Sequence, residues 1–246
     1  MDLVETTLAG LFFGTFGTTL GGLIGVKIKR NSNKFLSFIL SFASGLMMSI
    51  ICFDLLPEAF LVSNIINVII GIIFGIIIMI LCDLLIENKF NDKIIRKTEK
   101  DSMLITGIII SIGLAIHNFP EGLAIGSGFD ASIKLGLSLA IVICLHDIPE
   151  GISMAVPMKN GGMKPGKVIL YVILSGITTG VGALVGALIG NISKEVIGVC
   201  LSFAAGAMLY IVSGELIPEA NQIYKGRITG IGSIIGFLIG MIVVNL

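Results

Sequence analysis

The stretch "FASGLMMSIICFDLLPEA" (42–59) recurs without gaps as "FAAGAMLYIVSGELIPEA" (203–220), with nine of eighteen positions identical. Each copy is an apolar run that ends in an acid, two apolar residues and Pro-Glu-Ala. An apolar run of this length is typical of a membrane-spanning helix. Because ionisable groups are rare and usually functional inside such helices, the repeated acids predict functional positions.

Similar apolar runs fill the rest of the chain. Of its 246 residues, 55% are hydrophobic and only 13% are charged, with a formal net charge of zero. The mean hydropathy is +1.05. This composition predicts an all-α polytopic membrane protein that forms a single transmembrane domain over residues 1–246. The eight predicted spans are 3–26, 34–60, 63–86, 103–128, 132–157, 166–190, 194–220 and 227–245.

The connections between these spans are short, except for a mixed-charge inner linker predicted over residues 87–102. Fourteen of the sixteen Lys and Arg residues fall on one side of the membrane, and only Lys134 and Lys194 fall on the other. Because basic connections face the cytoplasm, both termini are predicted to be extracytoplasmic, in a cell membrane. The acidic start of the chain predicts no cleavable signal. Asp83, near the inner end of span three, is predicted to be interfacial.

The two copies of the opening motif lie at the ends of spans two and seven. Span seven comes five spans after span two, so the two spans cross the membrane in opposite directions. A second related pair, "IHNFPEG" (116–122) and "LHDIPEG" (145–151), lies on spans four and five, which are also antiparallel. The predicted architecture is therefore a 3+2+3 inverted repeat: three spans, two central spans and three spans. Inverted repeats are common in secondary transporters.

Both histidines of the protein belong to the central pair of motifs. Residues i and i+4 share one helix face, so each histidine can meet the glutamate one turn later. Imidazole, carboxylate and amide oxygen suit a first-row divalent ion such as Zn²⁺, Fe²⁺ or Mn²⁺. A divalent cation near mid-membrane would also offset the cost of carboxylates there. The predicted metal ligands are His117, Asn118, Glu121, His146, Asp147 and Glu150.

The acids of the opening motif lie on either side of this central site. Asp54 and Glu58 lie towards the outer face, and Glu215 and Glu219 lie towards the inner face, which predicts an entrance and an exit. A structural interpretation stays open for these four, because Pro-Glu also occurs at helix ends. Met47, two turns before the acids, is either a packing residue or a soft ligand.

With "HNFPEG" and "HDIPEG" on the central spans and "DLLPEA" and "ELIPEA" at two helix ends, the chain resembles the bacterial branch of the ZIP family of divalent-metal transporters. The resemblance covers essentially the whole chain. It implies eight spans with both ends outside and metal uptake into the cytoplasm, of zinc above all and of iron, manganese, cobalt or cadmium as well. It also implies a midplane site, often binuclear, with the ligands His117, Glu121, His146, Asp147 and Glu150, with Asn118 serving a second ion and Met47 as a further contributor.

One position departs from the family pattern. Relatives often have Glu-Pro in the sixth span after a Ser-Gly pair, and here Thr179-Gly180 stands in that place. One carboxylate of the second metal position is therefore absent. The resemblance leaves open whether one ion or two bind at the centre.

Two other functions share parts of this pattern. An intramembrane metalloenzyme would commonly use His-Glu-x-x-His on one helix, and neither histidine motif has that second histidine. A passive cation channel would use the same polar residues, and its flux would rise linearly with metal concentration. We therefore predict a secondary transporter rather than an enzyme, with divalent metal as substrate and no prosthetic group. The lipid bilayer is the predicted environment, nucleic acid is not a predicted partner, and a homodimer is a candidate assembly.

Overall fold

The structure is a computed structural model that describes residues 2–28, 33–91, 99–190 and 192–245. Within those ranges the chain forms eight long helices and no β-strand. Each helix contains a stretch that is long and apolar enough to cross a membrane, which confirms the predicted all-α, eight-span fold class. The helices are α1 (Leu3–Lys27), α2 (Asn33–Val62), α3 (Ile65–Asn91), α4 (Glu99–Ala131), α5 (Ile133–Asn160), α6 (Pro165–Gly190), α7 (Lys194–Ile223) and α8 (Arg227–Val244).

The apolar stretches differ from the predicted spans by at most three residues at any end. The larger difference concerns the predicted linker 87–102. Helix α3 continues to Asn91 and α4 begins at Glu99, so both helices extend into that linker. Its middle part, residues 92–98, lies outside the described residues.

Polar side chains mark where several helices begin. Asp2 and Glu5 form a capping box at α1, in which each side chain accepts from the backbone N–H of the other. The hydroxyl of Ser132 accepts from the backbone N–H of Leu135 at the start of α5. Ser132 is also the single residue between α4 and α5, so these two central helices are antiparallel neighbours.

Helix α5 lies at the centre of the bundle. In its most apolar stretch 83% of the residues are buried, against 22% in α3 and in α8. It packs against α1, α4 and α2, while α4 packs against α6 and α7, α2 against α8, and α3 against α7. Polar side chains on α4 and α5 are therefore shielded from lipid by the other helices.

Helices α2 and α7, which contain the repeated motif, are antiparallel. The Ser37 hydroxyl near the start of α2 donates to the carbonyl oxygen of Ala220 near the end of α7, at 2.8 Å. At the other end of the pair, Gly198 near the start of α7 packs against Ser63 after α2. This arrangement agrees with opposite directions for the two motif copies, and the complete 3+2+3 inverted repeat stays a prediction.

The two motif copies also share a local distortion. Each contains one π-helical turn, Ile51–Leu55 in α2 and Val212–Leu216 in α7, at the same place relative to the proline. A π-turn accommodates one extra residue in an α-helix and is frequent at functional sites. Asp54 and Glu215 lie within these turns, so the distortion determines the direction in which each acid points.

Candidate metal site

The two histidines lie at the middle of the two central helices. His117 is the middle residue of the 29-residue apolar stretch of α4, and His146 lies within one residue of the middle of the 28-residue α5. Glu121 and Glu150 follow one turn later on the same helices. His117 is 2% exposed and the other three side chains are 0% exposed. The four groups are therefore deep within the bundle, far from both helix ends.

These four side chains converge on one point, and we call them the central cluster. Glu121 Oε1 lies 2.7 Å from His146 Nε2 and 3.2 Å from His117 Nε2. Glu150 Oε1 lies 3.2 Å from His117 Nε2 and 3.7 Å from His146 Nε2. Each carboxylate thus reaches the imidazole of its own helix and that of the other helix. One ligand atom from each residue lies within 4.8 Å of all the others.

This set of two nitrogens and two oxygens has the size of a transition-metal site. Ligand atoms that are each about 2 Å from an ion lie roughly 3–4 Å from one another in tetrahedral geometry. Among the described residues, Glu121 Oε2 and Glu150 Oε2 have no hydrogen-bond partner. Because buried carboxylates without partners are costly, a divalent cation between them would stabilise the arrangement.

Asn118 and Asp147 are fully buried beside the central cluster, outside the four-atom group. Asp147 Oδ1 lies 3.4 Å from His146 Nε2. The Asn118 amide donates to the carbonyl oxygen of Ser175 on α6 at 3.1 Å, and its Oδ1 has no partner within the described part of the chain. Asn118 is therefore turned towards α6.

Thr179 lies on α6 one turn after Ser175 and is fully buried. Its hydroxyl oxygen likewise has no hydrogen-bond partner among the described residues. Helix α6 contains no Asp or Glu. The contacts of Asn118 with α6 therefore involve neutral groups, because this helix supplies no carboxylate.

The glycines that end the two histidine motifs have a packing role. A Cβ on Gly122 would overlap the carbonyl oxygen of Thr179 on α6, and a Cβ on Gly151 would overlap the carbonyl oxygen of Thr18 on α1. Any larger residue would push the neighbouring helix away. The Pro-Glu-Gly sequence thus combines a buried carboxylate with a close helix contact one residue later.

The central cluster opens on one side to a pocket of about 170 Å³, which we call the Glu215 pocket. His117 lines this pocket together with Glu215, Glu219 and Asp83. The Tyr210 hydroxyl donates to Asp83 Oδ2 at 2.7 Å and connects α7 to α3. Asp83, which is predicted to be interfacial, thus also lines the same pocket as His117.

A second pocket of about 260 Å³, the Asp54 pocket, lies where α2 ends and α5 begins. Asp54, Glu58, Lys134 and Ser138 line it. The Ser138 hydroxyl donates to Asp54 Oδ2 at 2.8 Å, so Asp54 is held against α5. The structure thus places the two predicted acid pairs in two separate pockets.

Apolar side chains separate the Asp54 pocket from the central cluster. Ser138 and His146 are eight residues apart on α5, which is about 12 Å of helix. Leu139, Val142 and Ile143 lie between them, and all three are 0% exposed. No member of the central cluster lines the Asp54 pocket. The cluster therefore adjoins the Glu215 pocket through His117 alone and does not adjoin the Asp54 pocket.

Met47 is fully buried in the main apolar core, together with Leu46, Ile143 and Met208. Its repeat counterpart, Met208, is in the same core. Packing accounts for both positions, and the predicted soft-ligand role of Met47 stays a prediction.

A bundle of eight membrane-spanning helices with buried imidazoles and carboxylates at its centre defines an integral membrane protein that can hold a cation within the bilayer. A sequence profile of the ZIP zinc transporter family matches residues 87–246, which include both histidine motifs. The chain therefore belongs to the ZIP zinc transporter family.

Individual relatives extend the match over most of the chain. The zinc transporter ZupT of Escherichia fergusonii is 29% identical over 230 residues, which cover 91% of this chain and 88% of that protein. The zinc transporter ZupT of an Escherichia coli strain matches equally well. The zinc transporter ZIP11 of Xenopus tropicalis is 35% identical over 128 residues, which cover 49% of this chain and only 38% of the frog protein.

These relatives are transporters, so the metalloenzyme alternative is excluded. The chain is a multi-pass membrane protein that transports metal.

Proposed function

We propose that the chain imports divalent transition-metal cations across the plasma membrane into the cytoplasm, with zinc as the first candidate. The observation that supports this most is the convergence of four buried ligand atoms, two imidazole nitrogens and two carboxylate oxygens, within 4.8 Å. The relatives' names support zinc. Iron, manganese, cobalt and cadmium are the further candidate substrates, since sites of this kind select metals mainly by geometry and availability.

In the proposed binding step, His117, Glu121, His146 and Glu150 hold one ion. With both imidazoles neutral, the two carboxylates balance the two charges of the ion, which makes a charge at mid-membrane tolerable. We assign Asn118 and Asp147 to an adjoining, weaker position. That position is weaker because α6 offers the hydroxyl of Thr179 in place of a carboxylate.

The proposed cycle is alternating access. Metal enters past Asp54 and Glu58, is held in the central cluster, and leaves past Glu215 and Glu219. The Glu215 pocket includes His117, whereas the Asp54 pocket includes no member of the cluster. The described conformation therefore corresponds to the release side of the cycle. Entry requires a second conformation in which the apolar side chains between Ser138 and His146 separate.

The direction of transport rests on the distribution of basic residues. With fourteen of sixteen Lys and Arg on one side, the positive-inside rule favours extracytoplasmic termini. That orientation puts the Asp54 pocket on the outer face and the Glu215 pocket on the inner face. The antiparallel contacts between α2 and α7 support an inverted repeat, which is the arrangement that alternating access commonly uses.

Zinc uptake into proteoliposomes tests the proposal. We expect His146→Ala and Glu150→Ala to reduce uptake to the level of empty liposomes. Leu145→Ala is the matched control, because Leu145 adjoins His146 but is 36% exposed on the outside of the bundle. Monodisperse size-exclusion profiles for all variants would establish that they fold. Wild-type uptake by both site variants would contradict the proposal.

The same vesicles separate a carrier from a channel. For a carrier we expect the initial rate to saturate with zinc concentration and unlabelled zinc on the inside to drive counterflow of labelled zinc. A rate that rises linearly and shows no counterflow would favour the passive pathway.

A further inference from the structure

A lysine lies among the acids of the Asp54 pocket. Lys134 lines this pocket together with Asp54 and Glu58, and it is exposed at the start of α5. It lies within electrostatic range of Asp54, without an ion pair between them. Lys134 is one of only two basic residues that the topology assigns to this side of the membrane.

The register of two helices brings Lys134 to the mouth of the pocket. The hydrogen bond from Ser138 to Asp54 fixes how α5 lies against α2 at this level. One turn further towards the surface, α5 has Lys134 and α2 has Glu58. Because α2 ends where α5 begins, the two helices are antiparallel there, and Lys134 is on the same level as Glu58. The pocket thus has the neutral hydroxyl of Ser138 at its deeper level and the ammonium group of Lys134 at the level nearer the surface.

The Glu215 pocket differs in charge. Its lining includes the carboxylates of Asp83, Glu215 and Glu219 and no Lys or Arg. The two described pockets therefore differ strongly, with two carboxylates and one ammonium group in one and three carboxylates in the other. A divalent cation is attracted less by the first than by the second.

We propose that Lys134 is a tethered competitor of the metal ion at the Asp54 pocket and thereby sets the affinity and the charge selectivity of metal entry. Its ammonium group partly neutralises Asp54 and Glu58 and has to swing aside when a divalent cation arrives. A monovalent cation gains less from the same two acids and displaces the lysine less readily. The inference rests on the proposed role of the Asp54 pocket as the entrance.

The size of the effect follows from Coulomb's law. A unit charge about 7 Å from a divalent ion in a water-filled mouth changes the occupancy of the ion by roughly three- to tenfold. Salt reduces this, since the Debye length is about 3 Å at 1 M ionic strength. Removal of the ammonium group should therefore lower the half-saturating zinc concentration at low salt, and the change should shrink at high salt.

The test is the initial rate of zinc uptake into proteoliposomes, measured against zinc concentration at low and at high salt. We expect Lys134→Gln to lower the half-saturating concentration about three- to tenfold at low salt. Lys134→Arg keeps the charge and should stay near wild type. Lys194→Gln is the matched control, because Lys194 is exposed on the same side but does not line the pocket. In an Asp54→Asn, Glu58→Gln background, which removes the acids that Lys134 neutralises, Lys134→Gln should have a clearly smaller effect.

Each other outcome has a defined meaning. An unchanged half-saturating concentration in Lys134→Gln, with active wild type, overturns the inference and leaves the proposed function intact. An equal shift in Lys194→Gln overturns it as well, because the effect is then one of general surface charge. Loss of transport in a folded Lys134→Gln variant shows that the lysine is required for transport rather than a competitor. Absence of zinc uptake by the wild type counts against the proposed function itself.

Discussion

Nε2 of His146 on α5 lies 2.7 Å from Oε1 of Glu121 on α4, the shortest contact in the central cluster. The same carboxylate oxygen lies 3.2 Å from Nε2 of His117. Glu121 thus contacts both imidazoles and joins the two central helices. A change of its charge should therefore affect both imidazoles of the cluster at once.

Glu121→Gln keeps the size of the side chain and removes its charge. We expect zinc affinity to fall by at least about tenfold, since even outer-shell partners of metal ligands contribute that much. Isothermal titration of the detergent-solubilised protein measures this. Ser111→Ala on the same helix is the control, because the Ser111 hydroxyl bonds only to Ile108 of its own helix among the described contacts. Equal affinities of Glu121→Gln and wild type would refute a ligand role for Glu121.

We expect the number of bound ions to depend on α6. Thr179→Asp puts a carboxylate on α6 one turn after Ser175, the residue that the Asn118 amide contacts. We expect this variant to bind about one more zinc ion per chain than wild type, because carboxylate is a common zinc ligand. Elemental analysis after equilibrium dialysis gives the stoichiometry. Thr179→Val removes the hydroxyl without adding charge and should leave the count unchanged. If Thr179→Asp and Thr179→Val bind equal amounts, the second position is not beside α6.

Helix number and the central cluster follow from local sequence. Apolar runs of span length define the eight helices without reference to tertiary contacts. The spacing of four residues between His117 and Glu121, and between His146 and Glu150, requires them to share a helix face. Two antiparallel helices joined by one residue then leave little freedom in how these faces meet. The eight helices and the pairing of each histidine with its glutamate therefore follow from the spacing of residues along the sequence.

Asp83 and the π-turns could not be predicted in this way. Asp83 is near the end of an apolar run, as an interfacial acid would be, and its place in the Glu215 pocket depends on packing of α3 against α7. The π-turn at Asp54 changes the backbone hydrogen bonding, and no residue type in this segment is specific to a π-turn. The shared motif around Asp54 and Glu215 was an advance signal for the π-turns, whereas the place of Asp83 depends on tertiary packing.

The glycine of the second histidine motif should be intolerant of a side chain. Gly151→Ala would place a methyl group against the carbonyl oxygen of Thr18 and force α1 away from α5. We expect a loss of about 1–3 kcal/mol of stability, which is typical of overpacking, and a lower melting temperature in detergent. Gly230→Ala on α8 is the control, since a Cβ there meets nothing within 4 Å. An unchanged melting temperature in Gly151→Ala would show that α1 can shift freely.

Asp83→Asn tests whether the Glu215 pocket is the release path. In the proposed cycle this change removes one of the carboxylates that receive an ion leaving His117, so we expect a several-fold lower uptake rate at saturating zinc. Tyr210→Phe keeps the Asp83 charge and removes the hydrogen bond measured at 2.7 Å, and its effect on the rate should be smaller. Asp130→Asn is the charge-matched control, because Asp130 is at the other end of the bundle and lines neither pocket. If Asp83→Asn transports zinc as fast as Asp130→Asn, the ion leaves the central cluster without help from Asp83.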